Sequence, residues 1–300
     1  MAKERSIFYH LRRKGQVLAL KTTSPEFMSK FYFKHELGYT LNLKEPKTFN
    51  EKLQWLKLYE WPNNPLAIKC SDKFAVQEYM KSLGKANLLN EQFFVWDNVD
   101  DIDWNKLPNQ FVLKCNHGCN YNILCYDKST LNEKETKRKL RRWMSEDFSM
   151  FNAEPHYGMI PHKIVCEKFL GNDIINYNIY CFNGKVTFIS VAGGLGNGVG
   201  EWLTYYNPDG TKAYFKNKLY PTSDTPITKH LKEMEKIAED LSKPFPMVRV
   251  DIFDVDGKFV LSEFTFTPGG GLIPFDPISA DKELGSMLDI TKEMNNRKNE

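Results

Sequence analysis

Two carboxylates near the end of the chain, Asp251 and Glu263, are of a type and spacing that could bind one divalent cation. They lie in the segment MVRVDIFDVDGKFVLSEFTFTPGGG, where polar and apolar residues alternate as they do in the strands of a β-hairpin. A three-residue loop at 255–257, with Gly257 in the left-handed conformation, would pair Arg249 with Glu263. Both carboxylates would then lie diagonally on one face, within reach of Mg²⁺ or of Arg249.

The choice of turn decides this arrangement. With the three-residue loop, Leu261 and Thr265 join the carboxylate face. A two-residue Asp-Gly turn would instead put Asp251 and Glu263 on opposite faces and send one carboxylate into an apolar layer, which is costly. We therefore expect the three-residue loop, and the alternative is a surface hairpin with an ordinary Arg–Glu ion pair. The apolar face is expected to carry Val248, Val250, Ile252, Val260, Phe264 and Phe266.

Lys114 is the lone charge in an apolar strand expected at 111–115, and a loop rich in Asn and Gly follows it. An ammonium group beside the backbone amides of such a loop suits a phosphate group. The Walker sequence and the dinucleotide-binding fingerprint are both absent. The commoner explanation for the loop is a simple turn.

The segment Thr267–Gly271, TPGGG, follows the carboxylate strand directly. Three successive glycines allow a ligand to approach the backbone closely, or they provide flexibility alone. Because of its place in the chain, this segment could frame the same site.

The elements that would position these residues change in character along the chain. The first third indicates helices, including one that begins with a capping box of Thr48 and Glu51 and one over SDKFAVQEYMKSLG. From about residue 110, short strands and turns predominate, among them a hairpin with Asn183-Gly184 at its turn. Two later helices are expected, a basic one around 134–142 and another at 229–241. This order favours an α+β fold over regular βαβ units.

The composition is that of a globular protein. The 300 residues include 41 basic and 38 acidic side chains, which give a net charge of +3, too small to indicate nucleic-acid binding. The longest apolar runs have four residues, far short of a membrane span, and the basic N-terminus lacks the features of a secretory signal. Cys115, Cys119 and Cys125 cluster, but their spacing is not that of paired zinc knuckles, so free, buried thiols are the expectation.

Several of these segments, in this order, resemble the TupA-like ATP-grasp family, which is associated with teichuronopeptide, capsule and other bacterial surface-polysaccharide synthesis. The resemblance extends from about Leu37 to Leu284. It implies an ATP-grasp fold, in which two α+β lobes clasp ATP. The expected divisions are a mainly helical region at 1–105, a small lobe at 106–170 and a large lobe at 171–300. The matching segments are NLKEPKTFNEKLQWLKLY, SDKFAVQEY, LPNQFVLKCNHG, IVCEKFLG, YCFNGK, FPMVRVDIFDVDGK and SEFTFTPGGG.

The resemblance also implies roles for individual residues. Lys114 and Lys73 would contact the ATP phosphates, Asp251 and Glu263 would bind Mg²⁺, and Arg249 would lie beside the transferred phosphate. The loop that covers the phosphates would contain Asn116, His117 and Gly118. The hinge that meets the adenine would consist of Glu167, Lys168, Phe169 and Leu170. The acceptor would be approached by Thr267, Gly269, Gly270 and Gly271.

Three positions depart from the family pattern. Thr265 stands where the superfamily often has Asn, two residues after the metal-binding Glu. Asn178 stands where the family commonly has Lys, and Gln77 stands in place of an Arg. These departures concern the substrate contacts more than the fold.

The function implied is an ATP- and Mg²⁺-dependent ligase that joins a carboxylate, such as a uronic or amino acid, to an amine in bacterial surface-glycan synthesis. The protein would be cytoplasmic, and the sequence leaves open whether it attaches peripherally to a membrane and how many subunits it has. The alternatives are phosphate transfer to a sugar hydroxyl and a non-catalytic nucleotide- or glycan-binding module. A nucleotide-sugar glycosyltransferase is disfavoured by the ordered Lys, Asp and Glu residues.

Overall fold

The computed structural model describes residues 7–172, 174–194 and 201–298; the start of the basic N-terminus lies outside them. The helices are α1 (Ile7–Thr22), α2 (Pro25–Leu37), α3 (Phe49–Trp55), α4 (Pro65–Ser71), α5 (Val76–Ser82), α6 (Glu133–Ser145), α7 (Leu231–Ser242), α8 (Ser279–Met287) and α9 (Thr291–Lys298). The strands are β1 (Gln92–Trp96), β2 (Phe111–Cys115), β3 (Asn122–Cys125), β4 (Ile164–Lys168), β5 (Asn176–Phe182), β6 (Lys185–Gly193), β7 (Trp202–Tyr206), β8 (Lys216–Asn217), β9 (Met247–Val255), β10 (Lys258–Thr265) and β11 (Phe275–Asp276).

The capping box expected at the start of α3 is confirmed. The side chain of Thr48 accepts a hydrogen bond from the Glu51 backbone, and Glu51 reaches back to the backbone of Thr48. The helix continues without a break into a π-helical turn, Leu56–Glu60. Turns of this kind are rare and occur often at functional sites.

The smaller sheet has the strand order β1-β4-β2-β3, and all its pairs are antiparallel. Its first strand, β1, precedes residue 106, where we expected the small lobe to begin. The sheet therefore draws on the end of the region expected to be helical. Helix α6 and the segment 148–160 pack against this sheet and form a hydrophobic core with it.

The larger sheet has the strand order β10-β9-β5-β6-β7. One face packs on α7 through Met234, Ala238 and Leu241, which are fully or almost fully buried. The expected Asn183-Gly184 turn is confirmed, since Phe182 pairs with Lys185 and both turn residues have positive φ. Helices at the start of the chain and sheets in the rest give the α+β architecture that the sequence predicts.

The turn predicted for the last hairpin is wrong. Val255 pairs with Lys258, so the loop has two residues, Asp256 and Gly257, both with positive φ. This loop alone would put the two carboxylates on opposite faces. A β-bulge at Ser262 supplies one extra residue and restores the register.

After the bulge, Glu263 pairs directly with Asp251 and Thr265 pairs with Arg249. The four polar residues therefore share one face, as predicted, but as direct pairs and not as diagonal neighbours. Two apolar positions exchange faces relative to the prediction, because Leu261 pairs with Ile252 and Val260 pairs with Phe253.

In the part of the chain that the structure describes, no helix combines the length and apolar character needed to cross a membrane.

Candidate active site

The two carboxylates lie side by side on the face of the larger sheet that is turned away from α7. Asp251 is fully buried, and the side chain of Glu263 is 29% exposed. The row that contains them continues across the sheet through Asn178 in β5 and Ser190 in β6, since each residue pairs with the next. We call Lys73, Arg249, Asp251, Glu263 and Thr265 the cleft cluster.

Arg249 neutralises part of this charge. Its Nε and Nη2 donate to the two oxygens of Asp251 at 2.7 and 2.6 Å, and Nη2 lies 3.7 Å from Glu263. Nη2 also donates to the hydroxyl of Thr265 at 3.0 Å. The guanidinium thus occupies the space in front of the carboxylates where a cation would bind.

The two carboxylates differ in their electrostatics. Burial raises the pKa of Asp251 to about 6, and this effect outweighs the attraction of Arg249. Burial also opposes ionisation of Glu263, but the charges of Lys73 and Arg249 outweigh it and hold the pKa of Glu263 below its ordinary value. Glu263 is therefore ionised at neutral pH, whereas Asp251 titrates closer to neutrality.

Lys73 contacts both the loop that follows β2 and the carboxylate strand β10. It follows α4, and its Nζ donates to the Gly118 carbonyl at 2.8 Å and lies 3.5 Å from Glu263. Burial would lower the pKa of Lys73, but Glu263 and other negative groups raise it above its ordinary value. A partly exposed ammonium group with a raised pKa, beside this loop, is well placed for an anionic ligand.

Lys114 projects from β2 next to Glu167 of β4. Its Nζ donates to Glu167 at 2.7 Å, and its side chain is 21% exposed. The charge of Lys114 also helps to lower the pKa of Glu263 across the cleft. The structure therefore brings Lys73, Lys114 and the carboxylate pair, all predicted from the sequence, to one cleft between the sheets.

The loop after β2 is more firmly built than a flexible cover. The Asn116 side chain donates to Asp72 at 2.7 Å and to the carbonyl of Pro161 at 2.9 Å. His117 is buried, stacks on His162 with 3.5 Å between ring centroids, and contacts the Trp143 carbonyl through Nε2. The side chains of Asn116 and His117 are thus committed to the protein, which leaves the backbone of this loop for a ligand.

Gly118 packs tightly in the same loop. A Cβ atom there would lie 2.6 Å from the ring of Phe148 and 2.8 Å from that of Tyr121. A larger residue would push the loop away from Lys73.

The segment expected to be the hinge leaves the end of β4. Glu167 is buried, Lys168 is exposed, and Phe169 packs edge-on against Tyr126 with 5.3 Å between ring centroids. Leu170 is half-buried and leads towards β5 in the other sheet. Backbone groups of this segment lie between the lobes, where the resemblance places the adenine.

The segment 267–271, which we call the glycine loop, begins directly after β10. Gly269, Gly270 and Gly271 all have positive φ. A Cβ atom on Gly271 would lie 2.7 Å from the Gln54 amide nitrogen, so this position requires glycine. The backbone of the glycine loop is fixed close to α3, beside the carboxylate strand.

A second group of buried polar residues, which the sequence analysis did not identify, holds the glycine loop. Gln54 donates to the carbonyls of Gly270 and Gly271 at 2.9 and 2.8 Å. Lys57 donates to the carbonyls of Asn152 and Gly270 at 2.9 and 3.3 Å. Glu154 accepts a hydrogen bond from the hydroxyl of Thr267. We call Gln54, Lys57, Glu154 and Thr267 the loop anchor.

The loop anchor is enclosed by protein. Lys57 is fully buried and Glu154 is 4% exposed. Burial lowers the pKa of Lys57 to about 8, despite the nearby negative charge of Glu154, and burial raises the pKa of Glu154. The helical period predicts that this face of α3 is buried. It does not predict the hydrogen-bond partners, because residues 152–154 and 267–271 are distant in sequence.

The cleft cluster fits a magnesium ion. Across the described ranges, no group of three or more His, Cys, Asp or Glu side chains could hold a metal, and all six cysteines are free. Mg²⁺, however, commonly takes only one or two carboxylates and completes its octahedron with phosphate oxygens and water. The raised pKa of Asp251 indicates that this carboxylate lacks the full compensation a divalent cation would give.

Comparisons with known proteins identify related sequences and structures. A model of the TupA-like ATP-grasp family matches residues 51–289. No curated protein matches the chain.

Among solved structures, a D-alanine–D-alanine ligase from Bacillus anthracis, complexed with ATP, is 19% identical with a TM-score of 0.45 over 78% of this chain and 69% of its own. The D-alanine–D-alanine ligase from Helicobacter pylori is 15% identical with a TM-score of 0.41, covering 80% of this chain and 69% of its own. An L-amino acid ligase from Bacillus licheniformis is 16% identical with a TM-score of 0.40, and the match covers 68% of this chain and 42% of that one.

Proposed function

Because the chain belongs to the TupA-like ATP-grasp family, we propose that it is an ATP- and Mg²⁺-dependent ligase that joins a carboxylate to an amine. The family and the ATP-grasp fold predicted from the sequence are confirmed by the match. One observation supports the activity above all others. Two carboxylates on one face of the large sheet stand near Lys114 of the small sheet and Lys73 of the segment after α4, with Lys73 only 3.5 Å from Glu263.

Asp251 and Glu263 would hold Mg²⁺, and Asn178 lies next to them in the same row. When bound, the ion neutralises phosphate charge and orients the phosphates. Arg249 now pairs with Asp251 through two hydrogen bonds. In the loaded enzyme its guanidinium is free to turn towards the transferred phosphate, since the carboxylate no longer depends on it for charge compensation.

The reaction has two steps. An oxygen of the carboxylate substrate attacks the γ-phosphorus of ATP, the bond to the β,γ-bridging oxygen breaks, and ADP leaves with the electron pair. The product is an acyl phosphate. The amine then attacks its carbonyl carbon, inorganic phosphate leaves, and an amide forms with loss of one proton from nitrogen.

The residues of this chain contribute by position and charge. Lys73 and Lys114 bind phosphate oxygens, and each exchanges a carboxylate partner, Glu263 or Glu167, for the nucleotide. Arg249 stabilises the charge on the transferred phosphoryl group. The chemistry requires no nucleophile on the enzyme.

The acceptor side is formed by the backbone of the glycine loop, which Thr267 holds in place through its hydrogen bond to Glu154. The Gly270 N–H already donates to the Thr267 carbonyl at 2.8 Å, and the other backbone amides of this left-handed loop can bind a carboxylate without bulk from side chains. We take the carboxylate substrate to be a uronic or amino acid and the setting to be surface-glycan synthesis in the bacterial cytoplasm. A glycan that carries the carboxylate would then be the partner.

Calorimetry with ATP and MgCl₂ tests the nucleotide site, and ADP release with panels of uronic acids, amino acids and amines tests the reaction. Mass spectrometry of the product distinguishes an amide from a phosphoester. Lys114→Ala should weaken ATP binding about tenfold or more while changing the melting temperature little, because its side chain is partly exposed. Absence of ATP binding in the presence of Mg²⁺ would contradict the proposal.

A further inference from the structure

Asn178 lies in the centre of the polar row that contains the two carboxylates. It pairs with Asp251 on one side and with Ser190 on the other, so its side chain is on their face of the sheet. The residue is 5% exposed. Its Nδ2 donates to the Ser190 hydroxyl at 3.0 Å, while its Oδ1 is buried and has no hydrogen-bond partner.

A buried carbonyl oxygen without a donor is unusual, because it has lost its hydration without compensation. The neighbouring residue in the row offers no donor, since Asp251 is itself an acceptor whose two oxygens bind Arg249. Two acceptors that lie side by side are both stabilised by a cation. Amide oxygens are also among the ligand types that hard divalent cations accept.

The other candidate for an additional neutral oxygen is Thr265. Its hydroxyl lies 3.0 Å from Arg249 and 3.3 Å from both Asp251 and Glu263, so it is already part of the hydrogen-bond network. The oxygen of Asn178 is the one in this row that is left without a partner.

We propose that Oδ1 of Asn178 is a third protein oxygen at the metal site, beside Asp251 and Glu263. The inference rests on the proposed function, because it concerns the same ion. The three metal-ligating side chains are then Asp251, Glu263 and Asn178. The hydrogen bond from Nδ2 of Asn178 to Ser190 fixes the orientation of the amide.

The chain offers a matched control in Asn176. It lies two residues earlier in β5, on the same face, and its Oδ1 is also buried and without a partner. It pairs with Phe253 and Ala192, however, and not with a carboxylate. Truncation of Asn176 therefore removes a similar amide oxygen from a similar place without touching the row of the carboxylates.

The experiment measures Mn²⁺ binding to the full chain in the presence of saturating ADP, by the electron paramagnetic resonance signal of free Mn²⁺. Asn178→Ala should weaken Mn²⁺ about tenfold, and Asn178→Asp should restore or tighten it. Asn176→Ala should leave the affinity within about twofold of the wild-type value. ADP binding in EDTA should be the same for all variants, which separates loss of metal from loss of the nucleotide site.

Two outcomes contradict the inference. Equal Mn²⁺ affinity of Asn178→Ala and wild type would show that the oxygen is not a ligand. A loss with Asn178→Asp as large as with Asn178→Ala would show that the amide acts as a donor.

A different result would contradict the proposed function. If Asp251→Asn and Glu263→Gln also leave Mn²⁺ affinity unchanged, the metal is not held here at all. If these two variants lose the metal and Asn178→Ala does not, only the inference about Asn178 is wrong.

Discussion

The cleft cluster and the loop anchor both contain buried ionisable side chains, but these side chains have partners of different kinds. In the loop anchor, Lys57 and Glu154 bond to backbone carbonyls and to the Thr267 hydroxyl. In the cleft cluster, the carboxylates bond only to other side chains, and a neighbouring amide oxygen has no donor. The charged groups of the anchor all have partners within the protein, although Oε1 of its Gln54 is buried without one, whereas the cleft has acceptors in excess and is open to solvent at Glu263.

This difference is the one expected between charges that hold the structure and charges that, in the proposed function, hold a ligand. Partners from the backbone fix one geometry and leave nothing for an outside molecule. Partners from side chains can exchange, and in the proposed function Lys73, Lys114 and Arg249 each move to a phosphate oxygen when nucleotide enters. The contrast predicts opposite consequences for substitutions in the two clusters.

The largest effect is expected on catalysis in the cleft cluster. Asp251→Asn and Glu263→Gln should each lower turnover by a factor on the order of 10³ or more, because each removes a carboxylate that we propose as a ligand of the metal. The melting temperature should stay within a few degrees, since both changes preserve shape. Steady-state ADP release and thermal unfolding of the same preparations check this, with Asn176→Ala as the control.

The raised pKa of Asp251 explains why stability should survive. A carboxyl whose pKa is about 6 in the folded state, against 3.8 ordinarily, contributes stability that is present below pH 3.8 and lost as pH rises through 6. At neutral pH the buried charge of Asp251 is therefore a cost to folding that Asn does not carry. Unfolding of either variant at 25 °C would show instead that the carboxylates are structural.

The second effect is on stability, in the loop anchor. Lys57→Met leaves Glu154 buried without its cation and removes a donor from the carbonyls of Asn152 and Gly270, of which the Gly270 carbonyl keeps Gln54. We expect a loss of about 3–5 kcal/mol in the free energy of unfolding, measured by urea denaturation. The double change Lys57→Met with Glu154→Gln should recover part of this loss, because the unpaired charge is then removed. A loss under about 1 kcal/mol for the single variant would contradict the role of the anchor.

The sequence predicted the cleft cluster better than the loop anchor, for physical reasons. Alternation along a strand is a local property, so the shared face of Arg249 and Asp251 can be read from the residues themselves. Glu263 lies on their face only because an Asp-Gly turn and a bulge at Ser262 offset one another. Nothing in the local sequence marks that bulge. The prediction of a three-residue loop therefore put Glu263 on the correct face, but with the wrong strand register.

The loop anchor was missed because its partners are far apart in the chain. Helical periodicity places Lys57 near a buried face, where a lysine is normally taken to extend to solvent. Its acceptors belong to residues 152 and 270, which only the tertiary fold brings together. Asn178 was noticed as a departure from a family pattern, but its unpartnered oxygen depends on the pairing of three strands.

The third effect is the pH dependence of metal binding. Because the pKa of Asp251 is about 6, this carboxyl is mostly protonated at pH 5, and the metal must displace that proton. The pKa of Glu263 is below its ordinary value, so Glu263 stays ionised over the same range. Mn²⁺ affinity in the presence of ADP should therefore fall roughly tenfold from pH 7 to pH 5. A flat profile in the wild type would contradict the assignment of Asp251.

The smallest effect is expected for charges outside both clusters, on the basic helix α6. Lys137 and Lys139 pair with Glu133 and Glu135 one turn earlier, at the surface. Such pairs in water contribute little, so Lys139→Gln should change the free energy of unfolding by no more than about 0.5 kcal/mol. Urea denaturation beside Lys57→Met makes the comparison direct, since both variants remove one lysine charge that lies near a glutamate. A loss as large as that of Lys57→Met would mean that burial and backbone partners do not determine how much a charged side chain contributes to the free energy of unfolding. The distinction between the loop anchor and the cleft cluster would then have no basis.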